Sequence, residues 1–364
     1  MTTEERSWLR LHLTPGLGRK RLLRLMESFA DIDQILGAGP RAWKERAGIA
    51  PVLAAGLPPA DAPQVQLAWK KLETAGAWIL PLTDSRYPQL LRNIHDPPAL
   101  LYVIGELPPG DALAVVGSRR ASETGRRLTF DLCAELAARQ IVIVSGLARG
   151  IDSYAHLGAL EGGGITLGVL GCGIDRVYPP ENADLFKRLL ERGAICSEYP
   201  PGTPPLPGHF PGRNRIISGL CRGVLVVEAA ENSGSLITAE FALDQGREVF
   251  AVPGPVRSAT GGGVNQLLKD GAHLVTGAAD ILSVLWPHNP RPEVRRAEET
   301  FADSLSGTAL SLYRHLTNEP LHIDHLARIS GLTPMEVSAI LLHLELLGGV
   351  ESLPGTRYIR RQRS

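Results

Sequence analysis

Apolar residues along the chain follow three successive patterns, and each pattern predicts a different kind of domain. Over residues 1–75, leucines recur at helical spacing, as in SWLRLHLTPGLGRKRLLRLMESF, and glycine-containing breaks interrupt them. This spacing predicts a helical domain of the SAM or helix-hairpin-helix type. The break at residues 14–18 precedes Arg19, Lys20 and Arg21. Its N–H groups suit a phosphate, but a plain helical bundle with solvated charges explains the same residues.

The second pattern predicts an α/β domain. Residues 76–110 are rich in proline and end in LLYVIGEL, which predicts a strand. From residue 111, helical stretches and glycine-rich turns separate the runs ALAVVG, IVIVSG, ITLGVLG, AICSEY, GVLVVEA and REVFAVPG. Strands that are apolar on both faces indicate a mostly parallel sheet covered on both sides. Right-handed crossovers then give an extended Rossmann-like, doubly wound α/β fold over residues 76–286.

The third pattern predicts a linker and a small C-terminal domain. Residues 287–307 are charged, contain proline and have few large apolar side chains, which is typical of a linker. Three helical stretches and a strand pair with Pro-Gly at its turn follow, so residues 308–364 are expected to form a winged-helix domain. Thr333-Pro334 predicts an N-cap and first position for the third helix.

This third helix is a poor candidate for reading duplex DNA. It contains no Lys or Arg and carries Glu336 and Glu345. After this helix, basic residues appear only near the C-terminal tail, at Arg357, Arg360, Arg361 and Arg363. An acidic, leucine-rich helix is better suited to contact another protein than to contact DNA. The basic tail is still compatible with a modest contact to phosphate.

Composition and charge narrow the classes of function. The chain of 364 residues has 38 Lys+Arg and 38 Asp+Glu, so any nucleic-acid partner must be met by a local patch. Its four cysteines form no CxxC pair, which gives no indication of a zinc or redox site. The N-terminal residues do not resemble a signal peptide, and no apolar run reaches the roughly 18 residues of a membrane span. We therefore expect a reduced, cytoplasmic protein that does not contact a membrane.

Candidate binding residues follow the predicted strands, because ligands of open α/β sheets bind beyond the carboxyl ends of the strands. After ALAVV come Gly117, Ser118, Arg119 and Arg120, whose hydroxyl and guanidinium groups match phosphate oxygens. The alternative there is an N-cap at Ser122 with solvated arginines. After IVIV, the turn formed by Ser145, Gly146, Arg149 and Gly150 predicts an anion-binding nest.

Two further glycine-containing turns give weaker signals. Gly171 and Gly173 begin like a dinucleotide fingerprint, but Arg176 occupies the third glycine position, which argues against an NAD enzyme. Ser233, Gly234 and Ser235 offer hydroxyl and N–H donors at a helix start, although a simple N-cap with tight packing fits equally well. No Walker loop is present, and this argues against a P-loop NTPase.

The stretch GHFPGRNRIISG at residues 208–219 holds the strongest local charge signal. Arg213 and Arg215 flank Asn214 at the start of an apolar, helix-like run, and every charged side chain over residues 199–227 is basic. An unpaired positive site in a chain of zero net charge predicts that an anion such as a phosphate binds there. Two residues apart on a helix, the arginines diverge. One is expected to reach phosphate while the other braces the turn, and the sequence leaves open which does which.

No catalytic set accompanies these donors. The ten histidines are scattered, and no Ser-His-Asp spacing or HExxH pattern occurs. Donors without a nucleophile or base describe a binding site better than an enzyme. The alternative is a nucleotide or nucleoside-phosphate hydrolase on a similar Rossmann-like sheet, for which Glu198 and Glu228 are the candidate catalytic carboxylates.

Taken together, the loops resemble those of the DprA/Smf family of DNA-processing proteins. The resemblance rests on VVGSRRAS, SGLARGID, GVLGCGIDRVYPPEN, FPGRNRIISGL, SGSLITAEFALDQGREVFAVPG and GVNQLLKDGA, in this order over about residues 80–285. It implies a non-enzymatic protein that binds and protects single-stranded DNA and helps to load the RecA recombinase on it during natural transformation. It also implies homodimerisation through the Rossmann-like domain and no required cofactor. Its implied phosphate-binding residues are Ser118, Arg119, Arg213, Asn214 and Arg215.

Overall fold

The computed structural model of the chain describes residues 2–258, 260–287, 305–317 and 320–360, and the contacts divide it into two compact units at Pro287. The predicted linker at 287–307 falls almost entirely on 288–304, outside the described residues, as do Arg361 and Arg363. Each unit is described by itself.

The larger unit begins with helices and continues as an α/β sheet. Its N-terminal helices are α1 (Thr3–His12), α2 (Arg19–Ser28), α3 (Ile32–Gly37), α4 (Gly39–Ala47), α5 (Pro51–Ala55) and α6 (Pro63–Ala75). Its strands are β1 (Ala77–Pro81), β2 (Leu100–Ile104), β3 (Ala112–Val116), β4 (Val142–Ser145), β5 (Thr166–Leu170), β6 (Ala194–Ser197), β7 (Gly223–Val226), β8 (Glu248–Ala251) and β9 (His273–Leu274). The helices among them are α7 (Gln89–Arg92), α8 (Glu123–Ala138), α9 (Ile151–Glu161), α10 (Ala183–Leu190), α11 (His209–Gly219), α12 (Gly234–Asp244), α13 (Gly262–Lys269) and α14 (Ala278–Leu285).

The sheet confirms the predicted doubly wound, mostly parallel fold. Its strand order is β1-β2-β6-β5-β4-β3-β7-β8-β9, and every pairing from β6 through β9 is parallel. The chain winds outward from β3 to β6 and then returns to place β7 on the other side of β3. The boundary between β3 and β7 is therefore the topological switch point, where ligands of such sheets bind.

One part of the sheet was not predicted. Residues Ala77–Pro81 form β1, which pairs with β2, and β2 in turn pairs with β6, both in antiparallel register. The proline-rich pattern of this stretch predicts a connector, apart from the strand at LLYVIGEL.

Successive side chains of the central strands point to opposite faces of the sheet, so they pack into two separate cores. Leu113 and Val115 pack with α8 and α9, while Ala114 and Val116 pack with α11 and α12. The N-terminal helices share a third apolar cluster with the antiparallel strands, which contains Leu9, Trp43, Leu72, Ile79 and Tyr102. The helices thus pack directly on the sheet within one compact unit. A separate helical domain over 1–75 stays a prediction.

The smaller unit has the winged-helix arrangement expected from the sequence. It contains α15 (Gly307–His315), α16 (Ile323–Ser330) and α17 (Pro334–Leu346), with the strands β10 (Leu321–His322), β11 (Val350–Leu353) and β12 (Arg357–Arg360). The Thr333 side chain accepts from Glu336 N at 3.3 Å, which confirms the predicted N-cap of the third helix. Arg360 donates to the Tyr313 carbonyl at 2.9 Å and lies over its ring, so this tail arginine already has partners.

Within the described residues, no helix combines the length and apolar character required to cross a bilayer. Over the same residues, no three His, Cys, Asp or Glu side chains converge to form a metal site.

Candidate phosphate-binding groove

A groove of about 710 Å³ lies over the switch point of the sheet. The turn after β3, the turn after β7 and the first residues of α11 form its walls. The lining includes most of the predicted donors, namely Gly117, Ser118, Arg119, Arg120, Arg213, Asn214, Ser233, Gly234 and Ser235. It also includes Asp152, Tyr178, Phe210, Thr238, Thr260 and several prolines. Stretches separated by more than a hundred residues therefore meet in one surface.

Close backbone packing fixes the turn after β3. Gly150 has φ of +75°, and a Cβ there would overlap the Ser118 carbonyl oxygen. Ser118 N donates to the Glu228 carbonyl at 2.7 Å, and Ile151 N donates to the Ser118 carbonyl at 3.2 Å. The turns after β3, β4 and β7 are thereby held against one another, so Arg119 and Arg120 leave the sheet from a rigid base.

The turn after β4 does not form the predicted anion nest. Asp152 is buried in the first turn of α9, where its Oδ2 accepts from Gly146 N at 3.1 Å and Ala148 N at 3.3 Å. Burial raises the pKa of Asp152, while the charges of Arg213 and Arg119 and these two bonds oppose that shift. A carboxylate of the chain therefore occupies the N–H groups assigned to a ligand.

The predicted role of Ser145 in ligand binding is also corrected, because its hydroxyl is buried and donates to the Val115 carbonyl at 2.6 Å. Gly146 keeps a different role. A Cβ at this position would overlap Nη1 of Arg213, so only glycine leaves room for that guanidinium.

Arg213 is the buried cation of the groove. Its side chain makes one hydrogen bond, from Nη1 to the Val169 carbonyl at 3.1 Å, and its Nε has no partner among the described residues. Burial lowers the pKa of Arg213, and Asp152 opposes the shift. A desolvated guanidinium with unused donors is costly unless an anion satisfies it. The groove therefore has the chemistry of an anion site.

Arg119 extends this positive wall outward along an aromatic surface. Its exposed guanidinium lies 5.2 Å from the centre of the Phe210 ring, and Tyr178 lies 5.7 Å from the same ring. Within the described ranges, neither Arg119 nor Arg120 forms an ion pair. Both charges are available to a ligand, beside two rings on which a base can stack.

The opposite wall is polar and uncharged at the groove. Asn214 donates from Nδ2 to the Gly234 carbonyl at 3.2 Å, which joins α11 to the start of α12. The hydroxyls of Ser233 and Ser235 lie 2.8 Å apart. Ser233 caps α12, as the alternative interpretation of this turn expected, and it still lines the groove.

The surroundings of Arg215 contradict the expectation that the basic stretch at residues 208–219 has no acidic partner. Its Nη2 donates to Glu198 Oε1 at 2.6 Å, and its Nε lies 3.6 Å from Asp96 Oδ2. Glu198 precedes the basic window by one residue, and Asp96 comes from a distant loop. Arg215 is buried in this cluster, so it braces α11 while Arg213 and Asn214 face the groove.

Three other predicted residues lie at or beyond the edge of the groove. Gly171 packs against the Phe210 ring, where a Cβ would come within 2.8 Å of it, and lines a small side pocket together with Arg149. Arg149 pairs with Glu181 at 2.6 Å. Gly173 packs against the 200–202 backbone instead of the groove, which corrects its assignment.

Both carboxylates considered for a hydrolase are engaged elsewhere. Glu198 pairs with Arg215. Glu228 accepts from the Ser122 amide at 3.0 Å and from the Ser122 hydroxyl, which anchors the start of α8. His156, a further polar residue near these turns, is fully buried and hydrogen-bonded to Thr166, so it does not face a ligand.

The fold and the groove define a class of protein: a doubly wound α/β unit with a candidate anion-binding surface at its switch point, followed by a winged-helix unit. The chain belongs to the DprA/Smf family. The family model described as DNA recombination-mediator protein A matches residues 78–286, and the DprA winged helix domain matches residues 296–356.

Individual relatives agree with this assignment. Protein Smf of Escherichia coli K12 is 43% identical over 310 residues, covering 82% of this chain and 80% of that protein. The X-ray structure of DNA processing protein A from Streptococcus pneumoniae is 36% identical with a TM-score of 0.68, and the match covers 78% of this chain and 99% of that one. A Helicobacter pylori DprA structure, described for its single-stranded-DNA binding mode, is 30% identical with a TM-score of 0.51 over 55% of this chain and 93% of that one.

Proposed function

We propose that the groove binds the phosphodiester backbone of single-stranded DNA. The observation that carries the proposal is Arg213, a buried guanidinium with unused donors that lines a groove beside the exposed Arg119. A phosphate supplies the missing charge and acceptors. The Helicobacter pylori relative, which has single-stranded DNA as its ligand, supports the choice of occupant.

The lining favours a single strand over a duplex. Phe210 and Tyr178 are within reach of bases that are not stacked in a double helix, and two guanidinium groups lie over the Phe210 ring at 5.2 and 6.0 Å. Stacking on aromatic rings combined with backbone contacts gives sequence-tolerant binding of single strands.

The test compares binding of single-stranded and duplex DNA by the full chain and its variants. Arg213→Ala and Arg119→Ala are expected to weaken single-strand binding at least tenfold, because each removes a charge-assisted contact. Each lost phosphate contact is also expected to lower the slope of log K against log salt by about 0.7. Arg222→Ala is the matched control, since Arg222 pairs with Asp111 at 2.5 Å and precedes β7 at the opposite edge of the sheet. Equal affinity for duplex and single strands, or unchanged binding by both groove variants, would contradict the proposal.

Hydrolysis of a nucleotide is not favoured by the site. Both candidate carboxylates hold structural contacts, so we propose a binding role without catalysis. Turnover of a nucleoside monophosphate that Glu228→Gln abolishes would overturn this.

The resemblance to the family extends the proposal to partners. We infer that the chain protects incoming strands and helps to load RecA on them during natural transformation, acting as a homodimer through the Rossmann-like unit. The free edge at β9, where Leu274 is exposed, supports a self-association surface on this unit. Sedimentation of the Leu274→Glu variant tests the dimer, and RecA filament growth on coated single strands tests the loading.

A further inference from the structure

The two sides of the groove differ in charge. Residues 117–130, which form the turn after β3 and the first half of α8, contain four arginines and one carboxylate, Glu123. Residues 228–240, which form the turn after β7 and most of α12, contain Glu231, Glu240 and no basic residue; their third glutamate, Glu228, has its carboxylate on Ser122 at the start of α8. The α8 side still holds the excess of positive charge, so it attracts a polyanion more strongly than the α12 side does.

The helices on the attractive side begin at the groove. α8 follows β3 and α9 follows β4, so both first turns lie at the carboxyl edge of the sheet. The helices pack closely because a Cβ at Gly158 or Gly162 would overlap the backbone carbonyls of Phe130 and Ala134. One turn before these contacts, the Arg126 guanidinium lies 5.8 Å from the centre of the Tyr154 ring.

This pair is continuous with the groove. Tyr154 N donates to the Gly150 carbonyl at 3.2 Å, and Gly150 packs on the backbone of Ser118 and Arg119. Arg119 lines the groove, so the Arg126–Tyr154 pair begins where the groove wall ends.

The charges on this side are largely free. Arg120 and Arg127 are exposed, and across the described part of the chain neither forms an ion pair. Arg126 has one partner, Glu123 at 3.6 Å, whose side chain is 85% exposed. Such a surface pair is weak and exchanges readily for another anion. Asp131, exposed one turn beyond Arg127, marks the far end of the basic stretch.

We propose that Arg126, Arg127 and Tyr154, together called the α8–α9 surface, bind the continuation of a single strand that leaves the groove past Arg120. Exposed guanidinium groups contact successive phosphates, and the Tyr154 ring accepts a base. This inference rests on the proposed function of the groove, and it adds the direction in which the strand runs.

The test uses two lengths of oligothymidylate with the full chain. A strand of about six nucleotides is short enough to be held by the groove, whereas one of about 20 extends beyond it. The variants are Arg126→Gln with Arg127→Gln, and Tyr154→Leu. The matched control is Lys187→Gln with Arg188→Gln, which removes two exposed charges from α10.

The double α8–α9 variant is expected to lose roughly tenfold in affinity for the long strand, because each exposed contact contributes under about 1 kcal/mol. Its salt slope on the long strand is expected to fall by about 1.4, for two phosphate contacts. Tyr154→Leu is expected to weaken the long strand without changing the salt slope. All variants should bind the short strand like the wild type and keep its thermal stability.

Several results would overturn the inference: an unchanged long-strand affinity, an equal loss on both lengths, or an equal loss in the α10 control. An acidic protein segment as the true occupant would give the first of these. Failure of the groove itself is recognised separately, because Arg213→Ala would then leave the short strand unaffected.

Discussion

Arg213 and Arg215 lie two residues apart on the same helix and are equally buried, each 3% exposed, yet their surroundings are opposite. Arg213 has one backbone acceptor and faces a groove. Arg215 meets two carboxylates inside the protein. Burial alone therefore does not separate a structural arginine from a ligand-binding one; the set of partners does. Both arginines keep a buried Nε without a hydrogen-bond partner, but among the described residues only Arg215 has its charge paired with carboxylates.

The cluster around Arg215 also connects distant parts of the larger unit. Arg19, at the start of α2, pairs with Asp96 and lies 3.7 Å from Glu198. An N-terminal helix, the loop before β2 and the end of β6 thus meet on α11. The helix that carries Arg213 is held in place from the side opposite the groove.

The largest expected effect is on stability, from Arg215→Ala. Removing this guanidinium leaves Glu198 buried without its close partner, which typically destabilises a protein by about 3–5 kcal/mol. Denaturant unfolding measures the change. Arg213→Ala is the control of equal size and burial, and it should destabilise less, because Asp152, the carboxylate that its charge favours, keeps two backbone N–H donors. Equal destabilisation by the two variants would remove the distinction between them.

The next largest effect is expected for Gly146→Ala, which should weaken the binding of single-stranded DNA. The added methyl group overlaps Nη1 of Arg213, so the guanidinium must move while its charge is kept. We expect single-strand affinity to fall by about 1.5–3 kcal/mol, as for loss of a charge-assisted bond. The double variant with Arg213→Ala should lose little beyond Arg213→Ala alone, because both changes act on one contact. Additive losses in this cycle would show that Gly146 acts by another route.

A smaller effect is expected from Arg19→Ala. Arg19 is about one-third exposed, and Asp96 and Glu198 keep Arg215 after its removal. Partial exposure screens the pair, so a loss of about 1 kcal/mol in unfolding free energy is expected. Single-strand affinity should stay within twofold of wild type. A large loss of affinity would mean that the N-terminal helices position the groove directly.

The sequence predicted the central sheet well because its strands are buried on both faces and read as continuous apolar runs. β1 escaped prediction because its pairing with β2 is antiparallel and its stretch adjoins prolines. The groove was found where strand ends and glycine-rich turns coincide. Gly146, which was predicted to form part of an anion nest, instead leaves room for the guanidinium of Arg213.

The errors at the site have a common physical cause. Ser145 is polar and ends a strand, but the direction of its side chain depends on the sheet, which turns it inward to Val115. Arg215 lacks an acidic neighbour along the chain, but folding brings Glu198 and Asp96 to it. The N–H groups of the turn after β4 were predicted to bind a ligand, but two of them donate to the carboxylate of Asp152. Local sequence shows which groups exist, whereas tertiary packing decides which remain unpaired.

The smallest expected effect concerns His156, which reports the charge of Arg213. The Thr166 hydroxyl donates to the Ile143 carbonyl at 2.7 Å, so it must accept from Nδ1 of His156 at 2.6 Å, and the ring is neutral. Burial, and then the positive charge of Arg213, lower the pKa of His156 to about 3 from its usual 6.5. In the unfolded chain the histidine protonates near its usual pKa. Stability contributed by the neutral ring is therefore complete above about pH 6.5 and declines as the pH falls toward 3.

Arg213→Ala removes one of these two causes, so the pKa of His156 should rise while burial still keeps it below 6.5. Arg215→Ala should leave it unchanged, since Arg215 is not among the groups that shift it. Titration of the imidazole by NMR measures both variants in the folded state. A pKa that responds equally to the two substitutions would mean that α11 presents both charges to the same interior, and the division of the helix into a groove side and a brace side would then fail.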